Sequence, residues 1–226
     1  MKILPIISPT QLDTWTDCRL KWRWANPSGY VPLKRRFDFE LGIGVHKALA
    51  TYYEAMMSGA RCDPVFVFTR WADKEIRELD EASLDYEDNL KNAVDARTLG
   101  IAMLEGYAKT YEHEPFRVLA VEKTITRNLP GTDWDVEGRI DAIISQPFQS
   151  SFGDREHIYV LEHKTYTSLD LEHLERDHQF VAEVWLTEIL GFGHVDGVLY
   201  NGLRKQVPSP RVKNPLFERQ YVNINR

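Results

Sequence analysis

Apolar and polar residues follow two different periods along this chain, and the change falls near residue 115. Before it, apolar positions recur every three or four residues. Leu49, Tyr52, Tyr53 and Met56 share one helical face, and the same spacing links Leu90, Ala93, Val94, Ile101, Leu104, Ala108 and Tyr111. Ser8-Pro9 followed by Gln11 reads as a helix start, with Ser8 as N-cap and Gln11 in the capping-box position. Helices are therefore predicted over 8–24, 41–57, 64–81 and 89–112, the first ended by Asn26-Pro27-Ser28-Gly29.

After Pro115 the period shortens. Residues 118–126, 134–145 and 157–165 alternate or run apolar with turn residues between them, the pattern of a three-stranded meander. A helix over 175–190, a strand over 195–203 and a last strand over 218–224 follow. This order predicts an α/β fold with a mixed sheet in one domain spanning residues 1–226. About 1–115 forms a helical N-terminal elaboration and about 116–226 the sheet core. A chain of 226 residues with 43% apolar content can bury such a core.

Composition removes several classes of function. No apolar run approaches the roughly 20 residues that cross a bilayer, and the opening residues lack the long apolar region of a secretory signal. No membrane association and a cytoplasmic location are expected. Cys18 and Cys62 cannot build a disulfide framework or a four-thiolate cluster, so reduced thiols are expected. The net charge of −6 argues against a nonspecific coat for nucleic acid, but its distribution is uneven. Residues 18–36 hold six bases and no acid, residues 203–226 hold six bases and one acid, and residues 73–114 hold twelve acids and five bases. Such runs are either solvated faces or the walls of a polyanion groove.

Within the third predicted strand, Leu161-Glu162-His163-Lys164-Thr165 interrupts an apolar run. Glu162 and Lys164 are two apart and project from the same face, with His163 on the other. A solvated ion pair explains them but stabilises little. Asp141, flanked by apolar residues in the segment 136–144, is otherwise a strand-end or turn acid. An Asp on one strand and a Glu-x-Lys on its hairpin partner can also converge on a hard divalent cation, which prefers carboxylate oxygens and waters. The lysine is then placed to orient the attacking water or to neutralise charge developing at phosphorus.

Five segments, in order, resemble the PD-(D/E)XK nuclease superfamily in its RecB-like branch, which includes phage and viral exonucleases and the CRISPR-associated adaptation nucleases. Ser8 to Trp24 is similar to that branch's Ser-x-x-x-Leu-x-x-(aromatic)-x-x-Cys opening. Gly42-Ile43-Gly44-Val45-His46 resembles its Gly-x-x-x-His helix, and Gly138-Arg139-Ile140-Asp141 its Gly-x-(Ile/Val)-Asp strand. Leu161 to Thr165 resembles its Asp/Glu-x-Lys-Thr strand, and Gln179 its glutamine motif.

The resemblance implies a restriction-endonuclease-like core and a Mg²⁺- or Mn²⁺-dependent DNA exonuclease acting in recombination, repair or phage DNA processing. Asp141, Glu162, Lys164 and Gln179 would be catalytic, and His46, Asp141, Glu162 and the main-chain carbonyl of His163 would hold the metal. Glu122 would be a supporting acid. On residue type alone, His46 reads as a helix-surface histidine, and it is the Gly-x-x-x-His context that makes it a ligand. The family's tyrosine four residues after the glutamine is Glu183 here, with Trp185 as the expected replacement. Some relatives hold an iron–sulfur cluster on one early and three late cysteines. Cys18 matches the early one, but no cysteine follows Cys62, so no cluster is expected and Cys18 should be buried.

Arg19, Lys21, Arg23, Lys34, Arg35, Arg36, Arg204 and Lys205 are the candidate DNA-binding residues, through phosphate contacts that carry no sequence information. Trp15, Trp22, Trp24 and Tyr30 are either core residues or stacking surfaces for the bases of a frayed strand. DNA ends or single-stranded regions are thus the expected substrate. A structure-specific or restriction-type endonuclease, and a DNA-binding module with a degenerate site, stay open as alternatives. Because the last predicted strand closes so near Arg226, further chain, a protein partner or a second copy is expected to complete the domain.

Overall fold

The computed structural model describes residues 5–26, 28–30, 37–150, 153–168, 171–172, 174–209 and 216–224. Lys34, Arg35 and Arg36 fall outside these residues. The described chain begins with a short strand β1 (Ile6–Ile7) and five helices: α1 (Pro9–Asp17), α2 (Arg19–Ala25), α3 (Phe37–Met57), α4 (Pro64–Arg77) and α5 (Tyr86–Thr110). Strands β2 (Arg117–Asn128), β3 (Asp135–Ser150) and β4 (Gly153–Tyr166) follow, then α6 (His178–Thr187), β5 (Gly197–Arg204) and β6 (Phe217–Val222).

The predicted meander is present, with β2–β3 and β3–β4 both antiparallel. β5 pairs parallel to β4 and antiparallel to β6, giving a mixed six-stranded sheet. The helix between β4 and β5 supplies the crossover a parallel pair requires. Alternation along the strands feeds two cores. Ala142, Ile144, Leu161, Leu199 and Leu203 face α3, α4 and α5, packing on Val45, Leu49, Tyr53, Met103 and Tyr107. Ile143, Val160, Val198 and Tyr200 face the other way, onto Phe180 and Val184 of α6.

Two expectations change. The single helix over 8–24 is broken at Cys18, which is extended at φ −154° and ψ 107° and serves as C-cap of α1 and N-cap of α2. Ser8 caps α1 as expected, accepting from the Gln11 N–H at 3.2 Å. Helix α2 buries none of its residues, so nothing covers Cys18, and it is exposed rather than buried. The second change is β1, too short to carry a period, which pairs parallel to the start of β3 through Ile6–Asp135 and Ile7–Val136.

Candidate active site

The ladder between β3 and β4 runs from Ser150–Gly153 to Ala142–Leu161 and goes no further. The next residues along the two strands are Asp141 and Glu162. On the same edge of β3, the pairing with β1 resumes only at Val136. The acids thus stand where two paired strands part, and backbone groups that would have bonded each other become available to side chains. Asp141 uses one of them: its Oδ2 accepts from the His163 N–H at 2.9 Å.

Two glycines let helices close over this gap. A Cβ on Gly42 of α3 would stand 3.2 Å from Thr165 Oγ1, so its absence allows α3 to lie against the end of β4. A Cβ on Gly138 would stand 2.6 Å from Leu186 Cδ1 of α6, so a side chain there would force the buried Leu186 to shift. One turn beyond Gly42, His46 meets Asp141, with its Nδ1 3.2 Å from each carboxylate oxygen.

Glu162, Lys164 and Gln179 form a second cluster. Lys164 Nζ donates to Glu162 Oε1 and to Gln179 Oε1, both at 2.7 Å. Gln179 Nε2 donates to Glu162 Oε1 and to Glu183 Oε1, again both at 2.7 Å. Asp177, the N-cap of α6, fixes the start of that helix by accepting from the Gln179 and Phe180 N–H groups. The Gln179 amide is therefore oriented by its neighbours, carbonyl to the ammonium and amino group to the carboxylates.

The electrostatics follow from burial. Burial disfavours charge on Asp141, but the His46 imidazole outweighs it and holds the carboxyl well below the usual carboxylate range. Burial likewise opposes a charged His46, and Asp141 overcomes that and raises its pKa. Glu162 is pushed up by burial and by Asp141, with Lys164 pulling the other way. Burial opposes the Lys164 ammonium, yet Glu162 keeps its pKa raised. Burial, then Glu162, pushes Glu183 well above the usual carboxylate value, favouring its neutral form. Burial lowers His163 to about 3, leaving a neutral ring.

Of these side chains, His46, Asp141 and Lys164 border a cleft of about 360 Å³ that is also lined by Gly42, Ile43, Lys47, Arg139, Thr165 and Lys205. Among the described residues, no three His, Cys, Asp or Glu side chains form a ready-made cation cage. The donors present nevertheless fit a hard divalent ion. Glu162 is 2% exposed, and its Oε2 is buried without a hydrogen-bond partner. Asp141 and His46 border the same cleft, and such an ion is commonly held by one or two carboxylates with waters and substrate phosphates completing its shell.

The structure thus brings His46, Asp141, Glu162, His163, Lys164 and Gln179 together as predicted and adds Lys205 to the wall. It separates others. Glu122, the one described non-glycine residue with positive φ (51°), is paired with Arg139 of the cleft wall and is not itself in the lining. Trp185 lines an apolar groove with Ile7, Leu12 and Val136, so it does not fill the place of the family's tyrosine. Arg19, Lys21 and Arg23 lie on α2, away from the cleft lining; Arg19 rests on the Trp15 ring and Lys21 pairs with Asp17. Arg204 is half-buried at the end of β5 and does not line the cleft. Lys47, Arg139 and Thr165 were not singled out from sequence. Arg139 was accessible to the same reasoning, since it lies two residues before Asp141 on one strand.

A mixed sheet parted at an Asp, with Glu-x-Lys on the neighbouring strand and cations around the opening, defines a protein built to act on phosphodiesters. Comparison with known families agrees: the family model of the PD-(D/E)XK nuclease superfamily matches residues 6–219. The chain belongs to the PD-(D/E)XK nuclease superfamily, whose nucleases typically use divalent metals. No curated protein matches the chain.

Proposed function

We propose that the protein is a Mg²⁺- or Mn²⁺-dependent DNA exonuclease of the RecB-like type, working in recombination, repair or phage DNA processing. The observation that carries this reading is the Asp141/Glu162/Lys164 group at the parting of β3 and β4, with the orphaned Glu162 Oε2 beside it. Asp141, Glu162, His46 and the main-chain carbonyl of His163 are the residues that would hold the cation. When bound there, a divalent ion neutralises charge on the scissile phosphate and lowers the pKa of the attacking water.

The protein's own groups supply the rest. Lys164, held by Glu162 and Gln179, places a compact positive charge at the cleft wall, where charge develops on the phosphoryl oxygens. Lys47, Arg139 and Lys205 add cations around the opening, suited to flanking phosphates. Trp24 and Tyr30 are 54% and 71% exposed, next to Lys21 and Arg23, which supports a substrate with unpaired bases.

The test compares end-labelled linear DNA with closed circular DNA in Mg²⁺, Mn²⁺ and EDTA. An exonuclease degrades the linear substrate alone and stops in EDTA. Cleavage of the closed circle would make the protein an endonuclease, and binding without cleavage in either metal would leave it a DNA-binding module.

A further inference from the structure

His163 stands between Glu162 and Lys164, but its side chain points to the opposite face of the sheet, among buried polar groups that the proposed chemistry does not use. Its cross-strand neighbour on β5 is Asn201, which is fully buried. Asn201 Nδ2 lies 2.7 Å from His163 Nδ1 and 3.0 Å from the Tyr107 hydroxyl, and its Oδ1 accepts from Arg219 Nε at 2.8 Å. Arg219, from β6, is itself locked. It donates to both oxygens of Glu114 at 2.6 and 2.7 Å, to the hydroxyls of Tyr53 and Tyr107, and stacks 3.4 Å from the centre of the Tyr111 ring.

The donor–acceptor logic of this network runs one way. A guanidinium has donors and no acceptor, so the amide oxygen of Asn201 must face Arg219 and its amino group must face His163. An amino group donates, so His163 Nδ1 must accept, which leaves the ring proton on Nε2. Tyr53 holds the plane of that ring by stacking on it, 5.4 Å between centroids and 14° between planes. This matters because β4 has lost its β3 partner beyond Leu161, and the His163 N–H is the group that holds Asp141.

We propose that Asn201, oriented by Arg219, is a positioning residue: it locks His163 as the Nε2–H tautomer and so pins the segment of β4 whose main-chain N–H holds Asp141. The consequence for cation binding rests on the nuclease reading; the tautomer does not.

The test is nitrogen NMR of the histidine rings together with Mn²⁺ binding to the DNA-free protein. His163, assigned by its loss in His163→Phe, should show an unprotonated Nδ1 and a protonated Nε2. Asn201→Asp keeps an acceptor for Arg219 but turns a carboxylate oxygen toward the ring, and should move the proton onto Nδ1. Asn201→Leu removes the donor without adding charge, and Mn²⁺ affinity should fall by about 10-fold or more, the usual effect of losing support behind a metal ligand. A protonated Nδ1 in the parent, an unchanged pattern in Asn201→Asp, or an unchanged Mn²⁺ midpoint in folded Asn201→Leu overturns the proposal. If Asn201→Leu does not fold, the two spectra decide. They hold whether or not the parent cleaves DNA, so failure here and failure of the nuclease reading are told apart.

Discussion

Truncating Lys164 to alanine separates a catalytic lysine from an ordinary ion pair. Its Nζ makes two contacts, one to Glu162 Oε1 and one to Gln179 Oε1, each 2.7 Å long. After truncation Glu162 Oε1 still accepts from Gln179 Nε2, so the carboxylate keeps one partner and the local frame persists. Glu162, already pushed up by burial and Asp141, then loses the charge that pulled it down and takes up a proton more readily. That uptake limits the cost to folding, and because Lys164 is 35% exposed the loss of stability should stay below the roughly 3–5 kcal/mol of breaking a fully buried pair.

Turnover should respond differently. Losing one preorganised electrostatic stabiliser costs roughly 10²–10³ in rate, about 2.7–4 kcal/mol of barrier. Lys164→Arg should not restore it, because a planar guanidinium cannot place a compact charge at the same point. Single-turnover cleavage of linear DNA at saturating metal reads this directly, with a metal titration run alongside to establish saturation, since a Glu162 that protonates more readily shifts the midpoint. A Lys164→Ala rate within about threefold of the parent, roughly 0.6 kcal/mol, would refute the assignment and leave Glu162 and Lys164 a structural ion pair.

Three further outcomes are expected. Asp141→Asn and Glu162→Gln should each abolish cleavage while leaving DNA binding equal or tighter, since each removes a cation donor and a negative charge facing phosphate; more than a few per cent residual turnover in either variant contradicts this. His46→Ala should raise the Mn²⁺ concentration needed for half-maximal activity, with partial recovery at high Mn²⁺, because a histidine bordering the same cleft as Asp141 is one donor among several; an unchanged midpoint would make His46 a structural partner of Asp141. Gly138→Ala should lower stability by about 1–3 kcal/mol, read as a drop in Tm, because its Cβ would overlap Leu186 in a closed core.

Long periodic segments were legible because one face of each is buried. The alternation of β2 to β4 maps onto the two cores, and Ile101, Leu104 and Tyr111 of α5 join the first as expected, whereas Val94 is exposed and Met103 and Tyr107 take its place. Short elements were not. The two residues of β1 carry no period, and the break at Cys18 lies between the weak helix formers Thr16 and Asp17 and the strong ones Arg19, Leu20 and Lys21. There β1 is held by its pairing with β3 and α1 packs on α6, tertiary contacts that local propensity does not encode.

For the site, residue types and order along the chain gave the six groups that meet, because Asp and Glu-x-Lys must lie on strands that adjoin if they are to share a ligand. Sequence spacing does not say where a ladder stops. That Ala142–Leu161 is its last pair is what turns Asp141 toward a backbone N–H and leaves Glu162 Oε2 unpartnered. Glu183 shows the same limit from the other side: as a departure from the family's tyrosine it looked like a weakened motif. Buried beside Gln179, it instead accepts from one of the two N–H bonds of the amide that presents its oxygen to Lys164. An acid there does by accepting what a tyrosine hydroxyl can also do, so the substitution preserves the amide's orientation while changing the residue that sets it.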